Sequence, residues 1–138
     1  MRAARQHLAS CAVDGKLLVV GGWNETKQVV ATADLYDPVA DRWTAVADLP
    51  TPRGGLGATT LGTRCFVVGG ETWSAGPPGT FTDNQAFDPA AGAWSSYKRM
   101  PTPRHGLGVA AIGDAIYTFG GGPVQGNSYT DTVEVFRP

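Results

Sequence analysis

A segment of twenty residues occurs twice in this chain, and its spacing limits the folds that the chain can adopt. The sequence TPRGGLGATTLGTRCFVVGG at 51–70 returns at 102–121 as TPRHGLGVAAIGDAIYTFGG, and a weaker copy occupies 4–22. In every copy an arginine precedes the first residue of a Gly-Gly pair by sixteen residues. The arginines are Arg5, Arg53 and Arg104, and the pairs are Gly21-Gly22, Gly69-Gly70 and Gly120-Gly121. Fixed offsets along the whole chain indicate a repeat protein with a period of roughly fifty residues.

Each copy can be divided into short predicted strands, which we label A to D in chain order. Strand A is small and apolar, and strand B is rich in Val, Tyr and Phe, which favour strands. A two-residue turn separates them, with Asp-Gly suited to a type I′ hairpin and Gly-X to type II′. The turns are Asp14-Gly15, Gly62-Thr63 and Gly113-Asp114; strands A are predicted at 7–13, 56–61 and 107–112, and strands B at 16–20, 64–68 and 115–119.

After the Gly-Gly pair the copies diverge and then become regular again. The two glycines indicate positive φ or a backbone packed too closely for a Cβ. Variable inserts cover 23–32, 71–82 and 122–128, and strand C then ends in an aromatic residue two positions before a proline. In the first two copies a tryptophan follows this aromatic residue by seven positions, which predicts a tight C–D turn. The aromatic residues are Tyr36, Phe87 and Phe136, and the tryptophans are Trp43 and Trp94.

Taken together, the Thr-Pro-Arg start of the second and third copies, the Gly-Gly pair, the Tyr/Phe-Asp-Pro and the spaced tryptophan resemble the kelch repeat over essentially the whole chain. The resemblance implies an all-β fold, a partial β-propeller of four-stranded antiparallel blades with strand A innermost and strand D outermost. The chain would be a single propeller segment, 1–138, with blades at 5–50, 51–101 and 102–138, the last lacking its outer strand. Its roughly 11 strands are too few to close a ring of four to eight blades.

Three arrangements would follow from an open ring. The chain could be a piece of a longer propeller that supplies the missing blades, a homodimer that closes a six-bladed ring, or an open arc. Within the stack, large rings fill the space between blades, so the repeated aromatic residues and glycines are expected to build the fold. For the repeated arginines we expect a structural clamp on a neighbouring carbonyl or carboxylate, and the alternative is a ring of arginines facing a ligand.

Features that differ between blades are free to carry function. Up-and-down strands put the A–B and C–D turns on one rim, and the B–C loops and D–A links on the opposite one, which we call the loop rim. Loops held by a rigid scaffold often bind partners, and exposed Trp, Tyr and Arg are favoured anchors. The candidate binding residues on the loop rim are Trp23, Asn24, Arg53, Trp73, Arg104, His105 and Tyr129. The alternative for Trp23 and Trp73 is that they fold back on their own loops.

The net charge and the titratable residues argue against several classes of function. The net charge of −1 provides no excess of positive charge to attract nucleic acid or an anionic membrane. No apolar run approaches the length of a membrane span. Two histidines without metal-ligand spacing, and the lack of a G-x-S-x-G motif, lead us to expect no catalytic residue, metal or cofactor. Cys11 and Cys65 stand at different offsets in their copies, and we expect two small buried side chains rather than a disulfide framework.

These observations favour a kelch-repeat binding module that recognises a protein through the loop rim and is not catalytic by itself. The alternative is a fragment of a kelch-propeller enzyme acting on carbohydrate, similar to galactose oxidase or to sialic acid mutarotases. The copper ligands that the first resemblance would require do not map onto this sequence by any motif. The compartment stays open, with the cytoplasm expected if Met1 is the true start.

Overall fold

A computed structural model of the chain describes residues 1–73 and 79–138. In this described part the chain forms thirteen strands and no helix. Sheet 1 consists of β1 (Ala9–Val13), β2 (Lys16–Val20), β3 (Ala33–Asp37) and β4 (Arg42–Ala45). Sheet 2 consists of β5 (Gly57–Leu61), β6 (Arg64–Val68), β9 (Asn84–Asp88) and β10 (Ala93–Ser96), with the small hairpin β7 (Glu71–Thr72) and β8 (Gly79–Thr80) inserted after β6. Sheet 3 consists of β11 (Gly108–Ile112), β12 (Ala115–Phe119) and β13 (Val133–Phe136).

The strands of each sheet follow one another up and down, so every pairing is antiparallel. The A–B turns have the predicted form: Asp14 and Gly15 have φ of 51° and 67°, as a type I′ turn requires, and Gly62 has φ of 60°. The all-β class and the partial propeller of antiparallel sheets are confirmed. The small hairpin in the second insert was not predicted, because a variable insert offers no repeat with which to align it.

The three sheets stack face to face, with β5 between β1 and β11. Leu18 and Val20 of sheet 1 pack in one apolar cluster with Val67 and Phe87 of sheet 2. On the other side of sheet 2, Phe66 belongs to a second cluster that includes residues of sheet 3. Sheets 1 and 3 therefore each have one face that no other described sheet covers, and the stack does not close into a ring.

The seven-residue spacing between aromatic residue and tryptophan has a simple structural origin. Tyr36 lies directly opposite Trp43 across the β3–β4 pair, with ring centroids 4.9 Å apart. Phe87 and Trp94 are opposite each other across β9 and β10, with centroids 5.4 Å apart. Such cross-strand aromatic pairs stabilise a two-stranded edge by roughly 0.2–1 kcal/mol each.

The expectation for the two cysteines was wrong in one respect. Both side chains are buried, but they are joined in a disulfide between β1 and β6, with Cα atoms 6.1 Å apart. The bond links sheet 1 to sheet 2. Cys11 lies on strand A of its copy and Cys65 on strand B of the next copy, which is why the two residues stand at different offsets from the arginine. Unequal offsets therefore do not exclude a bond between sheets.

Over the described ranges 1–73 and 79–138, the chain has no helix long and apolar enough to cross a membrane.

Candidate functional site

The repeated arginines lie at the loop rim, but their guanidinium groups turn inward. Arg53 donates from Nε to the carbonyl oxygen of Gly69 (2.6 Å) and from Nη1 to Oε1 of Gln85 (2.9 Å). Arg104 donates to the carbonyl oxygen of Gly120 (3.0 Å) and to Oε2 of Glu134 (2.8 Å). Each arginine thus ties the end of strand B to strand C. Because the side chains of Arg53 and Arg104 are fully buried, neither presents a guanidinium to a ligand at the rim surface.

The residue opposite the arginine on strand C differs between sheets. Arg5 donates to a carboxylate, Oδ2 of Asp34 at 2.7 Å, and Arg104 likewise meets Glu134, whereas the side-chain acceptor of Arg53 is the neutral amide of Gln85. Burial lowers the pKa of Arg53 to about 10, and the more distant negative charge of Asp83 offsets part of this effect. Sheet 2 therefore holds a buried cation with weaker compensation than its neighbours.

The Gly-Gly pairs connect each sheet to the next one. The N–H of Gly22 donates to the carbonyl oxygen of Arg53 (3.0 Å), and the N–H of Gly70 donates to that of Arg104 (2.8 Å). The preceding glycine has positive φ in both pairs, and a Cβ there would collide with the same arginine carbonyl. Both reasons given for glycine from the sequence, positive φ and close backbone approach, therefore apply at these positions.

A second set of inter-sheet hydrogen bonds joins the residues two positions after each arginine. The N–H of Gly55 donates to the carbonyl oxygen of His7 (2.9 Å), and the N–H of Gly106 donates to that of Gly55 (2.7 Å). All three residues have φ between 53° and 63°. Glycine adopts this conformation without steric cost, whereas His7 does not, so a histidine at the first of these positions is a departure from the repeat.

His7 helps to line a pocket of about 410 Å³ between the loops of sheets 1 and 2. Trp73 stands at this pocket with 60% of its surface exposed, while Trp23 is only 7% exposed. The indole of Trp23 lies against Gly54, where any Cβ would overlap the ring. The expectation of an exposed Trp23 anchor is thus corrected: this side chain is a wall of the pocket. The lining residues are Gln6, His7, Trp23, Lys27, Glu71 and Trp73.

The loop of sheet 3 is fastened to that of sheet 2 through Glu71. One carboxylate oxygen of Glu71 lies 3.5 Å from Nδ1 of His105, and the other accepts the N–H of Gly126 at 3.0 Å. Gln125 donates from Nε2 to the carbonyl oxygen of Thr72 at 2.9 Å. The two loops therefore present one continuous surface beside Trp73, and His105 belongs to it through Glu71.

Glu71 was not among the residues predicted from the sequence. It follows a Gly-Gly pair directly, and the equivalent residues of the other copies are Trp23 and Gly122. Each of these three residues forms an antiparallel β-bridge with the residue that directly follows an arginine. The signal that could have identified it is this difference between equivalent positions, which is the criterion used for the tryptophans.

The two remaining candidates lie apart from the pocket lining. Oδ1 of Asn24 accepts the backbone N–H groups of Thr26 (3.1 Å) and Gln28 (2.9 Å), so it shapes its own loop. Tyr129 is 89% exposed on the loop of sheet 3. Across the described ranges, no group of three or more His, Cys, Asp or Glu side chains is placed to hold a metal ion.

Comparison with known proteins finds relatives that share the repeats described above. A sequence model of the Kelch motif matches residues 4–50 and 103–138. Kelch-like protein terF of Aspergillus terreus is 33% identical over 99% of this chain and 30% of its own length. Kelch-like protein 34 of Homo sapiens is 34% identical over 86% of this chain and 19% of its own length, and beta-scruin of Limulus polyphemus is 27% identical over 98% and 15%. The chain therefore spans less than a third of these relatives. Its repeats, its sheets and these matches agree: the chain belongs to the kelch repeat family.

Proposed function

We propose that this chain is a kelch-repeat interaction module that recognises a protein partner through the loop rim and catalyses no reaction by itself. The observation that carries the proposal is Trp73, an exposed indole beside a concave pocket that rigid sheets hold in place. Membership of the kelch family and the similarity to Kelch-like proteins support an interaction role. Tryptophan beside a pocket is the arrangement that dominates binding energy at many protein interfaces.

In this proposal a side chain of the partner enters the pocket against Trp73 and Trp23. Gln6 and His7 in the pocket lining offer both hydrogen-bond donors and acceptors, and Lys27 and Glu71 carry opposite charges. The surface formed by the loops of sheets 2 and 3 extends the contact area beyond the pocket toward Tyr129. Asn24 contributes by fixing the shape of its loop rather than by contact.

A displayed library of random peptides, selected on the 138-residue chain, tests the proposal. We expect selected peptides to bind the Trp73→Ala variant at least about 30-fold more weakly, which corresponds to the loss of a hot spot of about 2 kcal/mol. The matched control is Val39→Ala, because Val39 is 96% exposed in the β3–β4 turn on the opposite rim. This control should bind with unchanged affinity.

Two results would count against the proposal. Either no peptide is enriched, or the enriched peptides bind the Trp73→Ala variant as tightly as the original chain. A panel of oligosaccharides in the same assay addresses the alternative. If the chain bound a glycan and no peptide, the result would favour the alternative hypothesis, that the chain is a fragment of an enzyme acting on carbohydrate.

A further inference from the structure

Glu71 is a buried carboxylate whose charge no arginine or lysine compensates. Over the part of the chain that the structure describes, the buried carboxylates are those of Asp34 and Glu71, which are 0% and 8% exposed. Asp34 forms ion pairs with Arg2 and Arg5, whereas Glu71 forms none with an arginine or a lysine of this described part. An uncompensated buried charge is costly, and proteins keep such exceptions mainly at functional sites.

The groups that contact the Glu71 carboxylate leave it able to bind a cation. Oε2 accepts the N–H of Gly126 at 3.0 Å, and Oε1 lies 3.5 Å from Nδ1 of His105, which balances the charge only when its ring is protonated. A carboxylate has about four acceptor positions, so further N–H donors can still reach it. Glu71 belongs to the middle sheet, and loops of sheets 1 and 3 lie on either side of it, so both of its neighbours in the stack are present.

The indole of Trp73 lies beside this carboxylate. Its ring atoms Cη2 and Cζ2 are 3.5 Å and 3.6 Å from the position that a Cβ would take at Gly126, the residue whose N–H binds Glu71. The shared contact with Gly126 places the indole and the carboxylate next to each other, and both line the pocket of about 410 Å³. Tryptophan attracts cations to its ring face more strongly than other aromatic residues do. A guanidinium suits this pair of groups, because its planar fork stacks on a ring and donates paired N–H groups to a carboxylate.

Lys27 is a competing cation in the pocket lining. Its side chain is exposed, and it forms no ion pair with any residue that the structure describes. The ammonium of a lysine stands on a flexible four-carbon stem, so it can turn to solvent when another cation enters. The fixed charge of the pocket is therefore the negative one of Glu71, and the loss of the Lys27 charge should tighten the binding of a cation.

We propose that this pocket takes an arginine side chain of the protein partner. The guanidinium stacks on the ring of Trp73 and pairs with the carboxylate of Glu71. The occupant is a cation because the buried charge of the lining is negative and is compensated by no arginine or lysine of the described chain. This inference rests on the proposed function, since it names the residue of the partner that enters the pocket against Trp73.

Two small probes that differ in charge but hardly in shape test the cation directly. They are Nα-acetyl-arginine methylamide and Nα-acetyl-citrulline methylamide, in which a carbonyl oxygen replaces one nitrogen of the guanidinium. We expect the arginine probe to shift the NMR signal of the Trp73 indole N–H, identified with the Trp73→Phe variant, with a dissociation constant of about 1 mM for a ligand of this size. The citrulline probe should bind at least about 10-fold more weakly. Equal binding of the two probes, or no shift with arginine, would overturn the proposal.

Three variants, checked for an unchanged fold by circular dichroism, locate the contact. Glu71→Gln keeps an oxygen that can accept from Gly126 but removes the charge, so it should lose the preference for arginine over citrulline. Glu25→Gln is the matched control and should keep the preference, because it removes the same charge from an exposed residue of the loop rim outside the pocket lining. Lys27→Met should bind the arginine probe about threefold more tightly. A preference that persisted in Glu71→Gln would contradict the proposal.

The displayed peptides separate this inference from the proposed function. If peptides that require Trp73 share no arginine and bind the Glu71→Gln variant unchanged, the chain is an interaction module and the arginine pocket is wrong. If the arginine probe binds as expected but no peptide is enriched, the proposed function fails and the cation chemistry of the pocket stands.

Discussion

At the scale of single residues, the three repeated arginines occupy equivalent positions, but the side chains that accept their hydrogen bonds differ in charge. A buried guanidinium is costly unless hydrogen bonds and an opposite charge compensate it. Sheets 1 and 3 supply Asp34 and Glu134 for this purpose, and sheet 2 supplies Gln85 at the equivalent position. Burial lowers the pKa of Arg53 to about 10, and the negative charge of Asp83 offsets only part of this effect.

Exchanging these partners should change stability in opposite directions. We expect Gln85→Glu to raise the free energy of unfolding by about 1 kcal/mol, because a charge-assisted hydrogen bond replaces a neutral one. The matched change Glu134→Gln should lower it by a similar amount. Urea denaturation at pH 7 measures both. A loss of stability in Gln85→Glu would show that the burial of a second charge costs more than the pairing gains.

At the scale of elements, the C–D hairpin depends on the aspartate that precedes its proline. Oδ1 of Asp37 accepts hydrogen bonds from the backbone N–H groups of Val39 (2.9 Å) and Ala40 (3.0 Å). Oδ1 of Asp88 likewise accepts hydrogen bonds from the N–H groups of Ala90 (2.9 Å) and Ala91 (3.2 Å). The bonds from Ala40 and from Ala91 lower the pKa of Asp37 and Asp88, respectively, because they favour the charged carboxylate. In sheet 3 the equivalent residue is Arg137.

Acid should therefore weaken both hairpins. A carboxyl group whose pKa is lower in the folded chain than in the unfolded chain stabilises fully above the unfolded value, about 3.9, and this contribution disappears as pH falls through the folded value. We expect thermal unfolding of the original chain to shift more between pH 5 and pH 2 than that of Asp37→Asn with Asp88→Asn, since the amide oxygen can still cap the turn without titrating. Identical pH profiles would contradict this role.

The elements also show what the sequence could predict. Strands β2, β6 and β12 have the predicted bounds, because a constant turn fixes where each begins and a Gly-Gly pair fixes where it ends. Strand A was predicted one or two residues too early, since the residues after the arginine make contacts between sheets instead of joining the ladder. The burial of Trp23 and the link from Glu71 to His105 depend on which side chains stand at equivalent bridging positions of the three copies, and the repeat does not specify those side chains.

At the scale of the whole molecule, neighbouring sheets are joined by backbone hydrogen bonds and apolar packing at both junctions, and by a covalent bond at one. The Cys11–Cys65 disulfide closes a loop with a sequence separation of 54 residues, which contains most of sheet 1 and the start of sheet 2. The junction of sheets 2 and 3 has no equivalent bond, because the residues at the corresponding positions are Thr59 and Ile116.

Reduction should therefore destabilise the stack mainly through the unfolded chain. A cross-link of this span removes loop-closure entropy from the unfolded ensemble and is expected to contribute about 4 kcal/mol. Urea denaturation of the chain with and without a thiol reductant measures the difference. The variant Cys11→Ala with Cys65→Ala should be less stable than the oxidised chain and insensitive to the reductant, which separates loss of the bond from other effects of the reagent. If the reductant left the original chain's unfolding midpoint unchanged, while free thiols were detected, the bond would not stabilise the junction and packing alone would hold sheet 1 against sheet 2.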